Sequence, residues 1–339
     1  MAVAAGNGGA RRKGAKVVTN RVGLLLICLS FGYGQPFSIR STQQFSDIIG
    51  PGIAMPKWSG GLLTSWRTDT PASNPSPNLV IADRQGRTVA RHRLWVAEAS
   101  AVKIRDAAAG DSRQLAVVGI ATSPTGHNAG YLAIVDPQTK AAKVIQTAPL
   151  EGQQVAWGPD ESIWILGYQL TAERKLLTAP PHALLRQYDR EGKLIAEHLP
   201  WPAINCGKHP LLVDWAQITT SPTKIGILLP ACQTWIELSP DGRQIGRWQP
   251  AFPPGFEPKK MHLGRAVIAK SGTPYLFAST PQIQGADGSL RHVTLFSLTV
   301  DRRSWEAIPT DSDLWCLAGA DAEGLAFCSG ASNLTWINR

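Results

Sequence analysis

Leu184-Leu185-Arg186-Gln187-Tyr188-Asp189-Arg190-Glu191-Gly192-Lys193-Leu194-Ile195 is the stretch from which the rest of the chain can be read. An apolar run meets Asp189, a polar Arg-Glu-Gly turn reverses the chain, and a second run follows. Asp bonds its own backbone two residues on and Gly supplies a positive φ, so the segment reads as a hairpin with a physical cause. The same order returns in residues 78–89 around Asp83, 131–140 around Asp136 and 234–245 around Ser239, and more loosely in 293–302 around Thr299. These turn residues stand 53, 53, 50 and 60 positions apart. A period near 50 in a chain of 339 residues marks a repeated supersecondary unit.

A second kind of hairpin lies between these. The clearest is 155–165, Val-Ala-Trp-Gly-Pro-Asp-Glu-Ser-Ile-Trp-Ile; parallel segments are 218–228, 266–277 and 317–328, with a longer version over 102–118. Two hairpins per period make four strands, the content of a β-propeller blade. The chain finishes on Leu334-Thr335-Trp336-Ile337-Asn338-Arg339, a third strand with no fourth after it. Residues 37–45 are the candidate to supply the fourth, closing the ring and removing a free sheet edge. The expected fold class is therefore all-β, a β-propeller of six four-stranded blades closed by the N- and C-terminal strands. The first blade is the weak point, because residues 46–78 are rich in Pro, Gly and Ser and show one clear strand, 62–66. Five or seven blades stay open, with a two-sheet sandwich as the runner-up. No segment sustains a 3.6-residue period, and 25 prolines with 32 glycines suit turn-rich β structure.

Val155-Ala156-Trp157-Gly158-Pro159-Asp160, with Ile163-Trp164-Ile165 and Tyr188-Asp189-Arg190-Glu191-Gly192-Lys193, resembles the six-bladed propellers of the NHL-repeat and gluconolactonase-like group over residues 79–339. These motifs specify a fold more than a function. The NHL signature of Asp, Asn and Arg after the second strand is absent, and no catalytic residue is carried over.

The net charge of +9 is half a property of the leader. Arg11, Arg12, Lys13, Lys16 and Arg21 precede an apolar run, no acid occurs before residue 35, and removing residues 1–34 leaves +4. That weakens any nucleic-acid reading. The apolar run 22–33 is 12 residues long, short of the roughly 20 needed to span a bilayer. Basic flank, short apolar core and small Gly32 and Gly34 predict a signal peptide over 1–34, followed by a single domain over 35–339 with no membrane span. An uncleaved anchor is the alternative. Export, periplasmic or to the outside, follows from this reading.

Loss of Cys28 with the leader leaves Cys206, Cys232, Cys316 and Cys328. An even count in an oxidising compartment predicts disulfides, 206 with 232 and 316 with 328 by proximity. A hairpin centred on Ala322 sets the second pair opposite each other. Zinc is disfavoured, since no Cys-x-x-Cys spacing or following His occurs.

Long connections (121–130, 168–183, 199–214, 250–263, 279–292) fall on one face of such a ring, where loops carry function. That face holds the candidate binding residues Trp201, Lys208, His209, Phe256, Lys260 and His262, suited to an anionic or glycan-like small ligand or to a protein partner. Aligned positions four residues before the inner strand's apolar residue carry Glu98, Glu151, Asp214 and Asp313 in four of five copies, the fifth having Leu263. These could ring the channel mouth and bind a divalent cation such as calcium. Capping or solvated acids are the plainer reading of the four. The main expectation is an exported binding scaffold; the alternative is a metal-dependent, lactonase-like hydrolase. No Gly-x-Ser-x-Gly, His-Glu-x-x-His or Gly-rich phosphate loop occurs.

Overall fold

At Asp83, Asp136, Asp189, Ser239 and Thr299 the backbone N–H closes a tight turn onto the carbonyl of Arg87, Ala141, Lys193, Arg243 and Ser304 respectively. The side chains do what their chemistry predicts. Asp83 accepts backbone N–H bonds from Gln85 and Arg87, Asp136 from Gln138, and Asp189 from Lys193. In this computed structural model the described residues are 38–45, 48–49, 56–66, 78–171, 175, 182–200, 204, 216–280, 292–310, 313–330 and 332–338. All belong to the unit Pro36–Arg339; the expected signal segment lies outside them.

The described residues form twenty-four strands. β1 (Ser38–Gln44) is followed by β2 (Lys57–Ser59), β3 (Leu62–Trp66), β4 (Asn78–Ala82) and β5 (Thr88–Arg93). Next come β6 (Ala101–Ala109), β7 (Leu115–Thr122), β8 (Asn128–Val135) and β9 (Ala142–Gln146), then β10 (Leu150–Trp157), β11 (Ile163–Gln169), β12 (Ala183–Tyr188) and β13 (Leu194–Pro200). After these run β14 (Gln217–Ser221), β15 (Lys224–Leu229), β16 (Thr234–Leu238) and β17 (Gln244–Trp248), then β18 (His262–Ile268), β19 (Pro274–Thr280), β20 (His292–Leu298) and β21 (Trp305–Ile308). The chain closes with β22 (Leu314–Asp321), β23 (Gly324–Ser329) and β24 (Asn333–Asn338).

Four sheets are meanders of four antiparallel strands, β6–β9, β10–β13, β14–β17 and β18–β21. A fifth has eight strands in the order β1-β24-β23-β22-β2-β3-β4-β5. Its two halves join through one parallel pair, Trp58 with Gly319. The architecture is all-β and propeller-like. β1 pairs antiparallel with β24, from Ser38 with Asn338 to Gln44 with Asn333, so the terminal strand is completed from the beginning of the chain as expected. The 102–118 hairpin is tighter than its sequence suggests: residues 106–109 continue β6, leaving a turn over 110–114.

Position in the sheet explains the burial pattern. Second and third strands such as β3, β12 and β16 are buried throughout, because sheets pack on both their faces. The outer strand β5 alternates exposed with buried residues, as a half-solvated strand does.

The innermost strands hold one another by side-chain bonds to the neighbour's backbone or side chain, and the links run all the way round. Lys57 on β2 reaches Asp106 on β6, and Asp106 Oδ2 accepts the Val155 N–H on β10 (2.9 Å). Gln154 Oε1 accepts the Ile218 N–H on β14 (3.0 Å), and Thr219 Oγ1 accepts the Ile268 N–H on β18 (3.0 Å). Arg265 Nη1 donates to Ala318 O on β22 (2.8 Å), and Trp58 Nε1 donates to Asp321 Oδ2 (2.9 Å), returning to β2. Each such bond satisfies a polar group that a purely apolar packing of sheets would leave buried and unpaired. Gly319 is required at the last junction, since a Cβ there would stand 2.1 Å from Trp58 O.

Cys316 and Cys328 are register partners on β22 and β23 and form a disulfide across 12 positions, as the hairpin centred near Ala322 predicts. Cys232 is also disulfide-bonded; its partner and Cys206 lie outside the described residues. Replacing Cys316 and Cys328 together by alanine is expected to lower the unfolding free energy by about 2–3 kcal/mol, the loop-closure entropy of so short a loop. Urea titration of oxidised wild type against the double variant measures it, and coincident midpoints would contradict it.

Candidate functional site

A cavity of about 430 Å³ occupies the middle of the ring, and each innermost strand contributes to its wall. Its lining extends from Lys57, Ile218, Arg265 and Ala318 out to the first-to-second-strand turns, at Gly60, Gly61, Gly110, Asp111, Pro159, Glu161, Pro222, Lys270 and Ala322. The wall between is mostly small or aromatic: Ala108, Ala109, Ala156, Gly158 and Gly319, with Trp58 and Trp157. Small residues leave the space open. The tryptophans are fixed by their own bonds, Trp157 Nε1 donating to Ala108 O (3.0 Å). Gly60 sits where only glycine fits: its φ is +52°, and a Cβ would meet Gly110 O at 2.2 Å.

Lys57 and Arg265 line the inner end, and Asp106 is bonded to Lys57 behind the wall. Lys57 opens the three-residue strand β2. Asp106 lies where the β6–β7 register shifts between Ile104 and Asp106, and Arg265 where the β18–β19 register shifts between Leu263 and Ala266. Such bulges add a residue to one strand and re-aim its side chains. Lys57 Nζ donates to Asp106 Oδ2 and to Val155 O, both at 2.6 Å. Arg265 Nη1 donates to Pro56 O and Ala318 O. Burial pulls the Lys57 ammonium below its ordinary pKa; Asp106 opposes that shift and Arg265 reinforces it. Burial likewise lowers Arg265, against the attraction of Asp106, while part of its surface still faces the cavity. Two cations therefore share one carboxylate in a desolvated place.

The described candidates drawn from the sequence do not line this cavity. Trp201, Lys208 and His209 fall outside the described residues, as does Asp214. Phe256 packs on Phe296 with ring centroids 5.0 Å apart, joining the apolar cluster around Trp235 and Trp305. Lys260 Nζ pairs with Glu257 at 2.9 Å, and His262 is exposed at the start of β18. Glu98 is exposed in a turn with φ +62°, and Asp313 is exposed before β22. Glu151 is buried and accepts from Tyr168 Oη (3.1 Å), with Arg105 Nη2 at 3.5 Å. Among the described residues no three His, Cys, Asp or Glu side chains gather as a metal site would need, so Glu98, Glu151 and Asp313 are not brought together. The cavity's residues were missed for identifiable reasons. Lys57 belongs to a strand too short to register as a pattern. The one available signal was a charge inside an inner-strand apolar run, as at Asp106 after Ile104 and Arg265 before Ala266-Val267-Ile268.

Three histidines add a pH response away from the cavity. His92, His182 and His198 are all held below the ordinary imidazole pKa, in each case first by burial. His182 Nε2 accepts the Gln169 N–H, and His198 stacks on Trp164 at 5.0 Å; both contacts suit the neutral ring. A folded pKa below the unfolded one means that the unfolded chain binds more protons in that window. Stability is therefore complete above about pH 6.5 and falls as the pH drops below it. Urea midpoints are expected to fall between about pH 7 and pH 5. A flat profile would contradict this.

No family model and no curated relative matches the chain. Solved structures do resemble it. A protein of unknown function from Dyadobacter fermentans matches at 8% identity over 90% of this chain and 99% of its own, with a TM-score of 0.52. A member of the duf4221 family from Bacteroides vulgatus matches at 11% identity over 89% and 97%, TM-score 0.49. The GH43_1 enzyme from Xanthomonas citri, complexed with xylose, matches at 13% identity over 79% and 93%, TM-score 0.45. At such identities the Dyadobacter likeness is one of fold alone, and it does not show the NHL-repeat or gluconolactonase-like group expected from the blade motifs.

Proposed function

We propose that this chain is an exported six-bladed β-propeller that binds a small molecule in its central cavity. The blade count takes the eight-stranded sheet as two blades that meet at Trp58 and Gly319. Export is supported by the leader's three-part pattern and by the Cys316–Cys328 disulfide, since such bonds persist in oxidising compartments. We take the partner of Cys232 to be Cys206. Among the described residues no helix is long and apolar enough to cross a membrane.

The observation that carries the binding reading is the cavity: about 430 Å³, walled by every innermost strand and ended by Lys57 and Arg265, with Asp106 paired to Lys57. That volume lies within the roughly 300–1,000 Å³ range of small-molecule sites, and the mix of apolar wall with few convergent polar groups is usual for them. It favours the cavity over the loop-rich face, where Phe256 is engaged in packing and Lys260 in an ion pair. A metal-dependent hydrolase asks for a cluster of ligands, and the described residues offer none. The test is a thermal-shift screen of small metabolites against wild type and Thr220→Trp, a substitution that fills the cavity from its wall. Ligands that stabilise wild type and lose their effect in the variant support the reading. Ligands that stabilise both alike overturn it.

A further inference from the structure

We propose that the inner end of the cavity is a subsite for a single oxyanion, so that the ligand is a small organic acid seated with its carboxylate or sulfate group inward. This rests on the reading of the cavity as the binding site. Among the described residues, Lys57, Asp106 and Arg265 leave one positive charge without an ion-pair partner. Lys57 spends its ion pair on Asp106, and Arg265 feels that carboxylate without bonding to it. An uncompensated buried cation is costly, and a bound anion removes the cost.

Arg265 carries the donors for that anion. Arg265 uses Nη1 to hold Pro56 O and Ala318 O, which fixes the guanidinium. Among the described residues its Nε and Nη2 make no hydrogen bond, and the side chain lines the cavity. A planar guanidinium with an unused pair of donors matches the two oxygens of a carboxylate, or of a sulfate edge, through two parallel N–H···O bonds. Farther out the charges are mixed, Asp111, Glu161 and an Asp321 already paired with Arg84 against Lys270, so charge selection for an anion belongs to the inner end. The wall of small residues with Trp58 and Trp157 accommodates a polar, ring-sized body behind the acid group.

The experiment is isothermal titration with sodium glucuronate, its neutral methyl ester and sodium sulfate, against wild type, Arg265→Lys and Thr220→Trp. The expected result is glucuronate binding at least roughly tenfold tighter than the ester, a step of about 1.4 kcal/mol. Sulfate should compete, and Arg265→Lys, which keeps the charge and loses the fork, should weaken glucuronate by a similar factor. Circular dichroism confirms that this variant is folded. If it is not, the acid-to-ester ratio and sulfate competition in wild type decide alone. Equal binding of acid and ester, both lost in Thr220→Trp, would overturn the oxyanion subsite while leaving the cavity as the binding site. Acid-selective binding untouched by Thr220→Trp would overturn both, and no binding of glucuronate or sulfate at millimolar concentration would overturn the subsite.

Discussion

Replacing Asp106 by leucine is expected to lower the unfolding free energy by about 3–5 kcal/mol, the cost of breaking a buried ion pair from one side. The carboxylate serves three neighbours at once. It receives Lys57 Nζ at 2.6 Å and the Val155 N–H at 2.9 Å, and it is the attractive charge felt by Arg265. Its removal strands two buried cations and one buried amide, where each unsatisfied group adds about 1–3 kcal/mol. The pair itself is a weak source of net stability, because both partners give up water to form it. The double variant Asp106→Leu with Lys57→Met is therefore expected to be more stable than Asp106→Leu alone, since one stranded cation is gone. Urea unfolding of the four proteins in the cycle measures the coupling. Strictly additive losses would mean that Lys57 and Asp106, 49 positions apart, do not meet.

Trp336→Ala is the second large effect, expected at about 3–5 kcal/mol. This side chain lies on β24 at the seam where the ring closes and is 1% exposed. Trp58 meets it edge-on with centroids 5.3 Å apart, Phe45 packs at 6.4 Å, and the Arg84 guanidinium lies 4.5 Å from its ring. Arg84 is in turn held by Asp321 at 2.8 Å, so one indole joins residues beside β1, β2, β4 and β22. Stacking of the guanidinium on the ring adds about 0.5–2 kcal/mol to the apolar loss. Because β1 pairs with β24 at this seam, the damage should be local as well as global. Amide exchange in β1 and β2 should rise more than in β11 or β12. Uniform exchange across all strands would contradict a closure that depends on this seam.

How much of this was legible in the sequence depends on the range of the interaction that decides each feature. The turns at Asp83, Asp136 and Asp189 were readable because an Asp side chain and the amides it caps lie within four residues of each other. The pairing of residues 38–44 with 333–338 was readable by counting, since a last blade lacking one strand has one place to find it. Lys57–Ser59 was not, for three residues between prolines and glycines carry no period. Register shifts at Asp106 and Arg265 were equally invisible: a bulge is fixed by the neighbouring strand, and alternation alone sends those side chains to the wrong side. The aligned acids show that an offset in sequence does not set a shared environment. Glu98, Glu151 and Asp313 share an offset in sequence, yet one is buried against Arg105 and Tyr168 while two are exposed.

The cavity as binding site is tested most directly by amide chemical-shift mapping of isotope-labelled protein titrated with glucuronate. The expected perturbations fall on Gly60, Gly110, Val267 and Gly319, which line the cavity from four different innermost strands and their turns. Perturbations confined to Phe256, Lys260 and His262, with those four amides unmoved, would contradict the account and return the binding site to the loop-rich face.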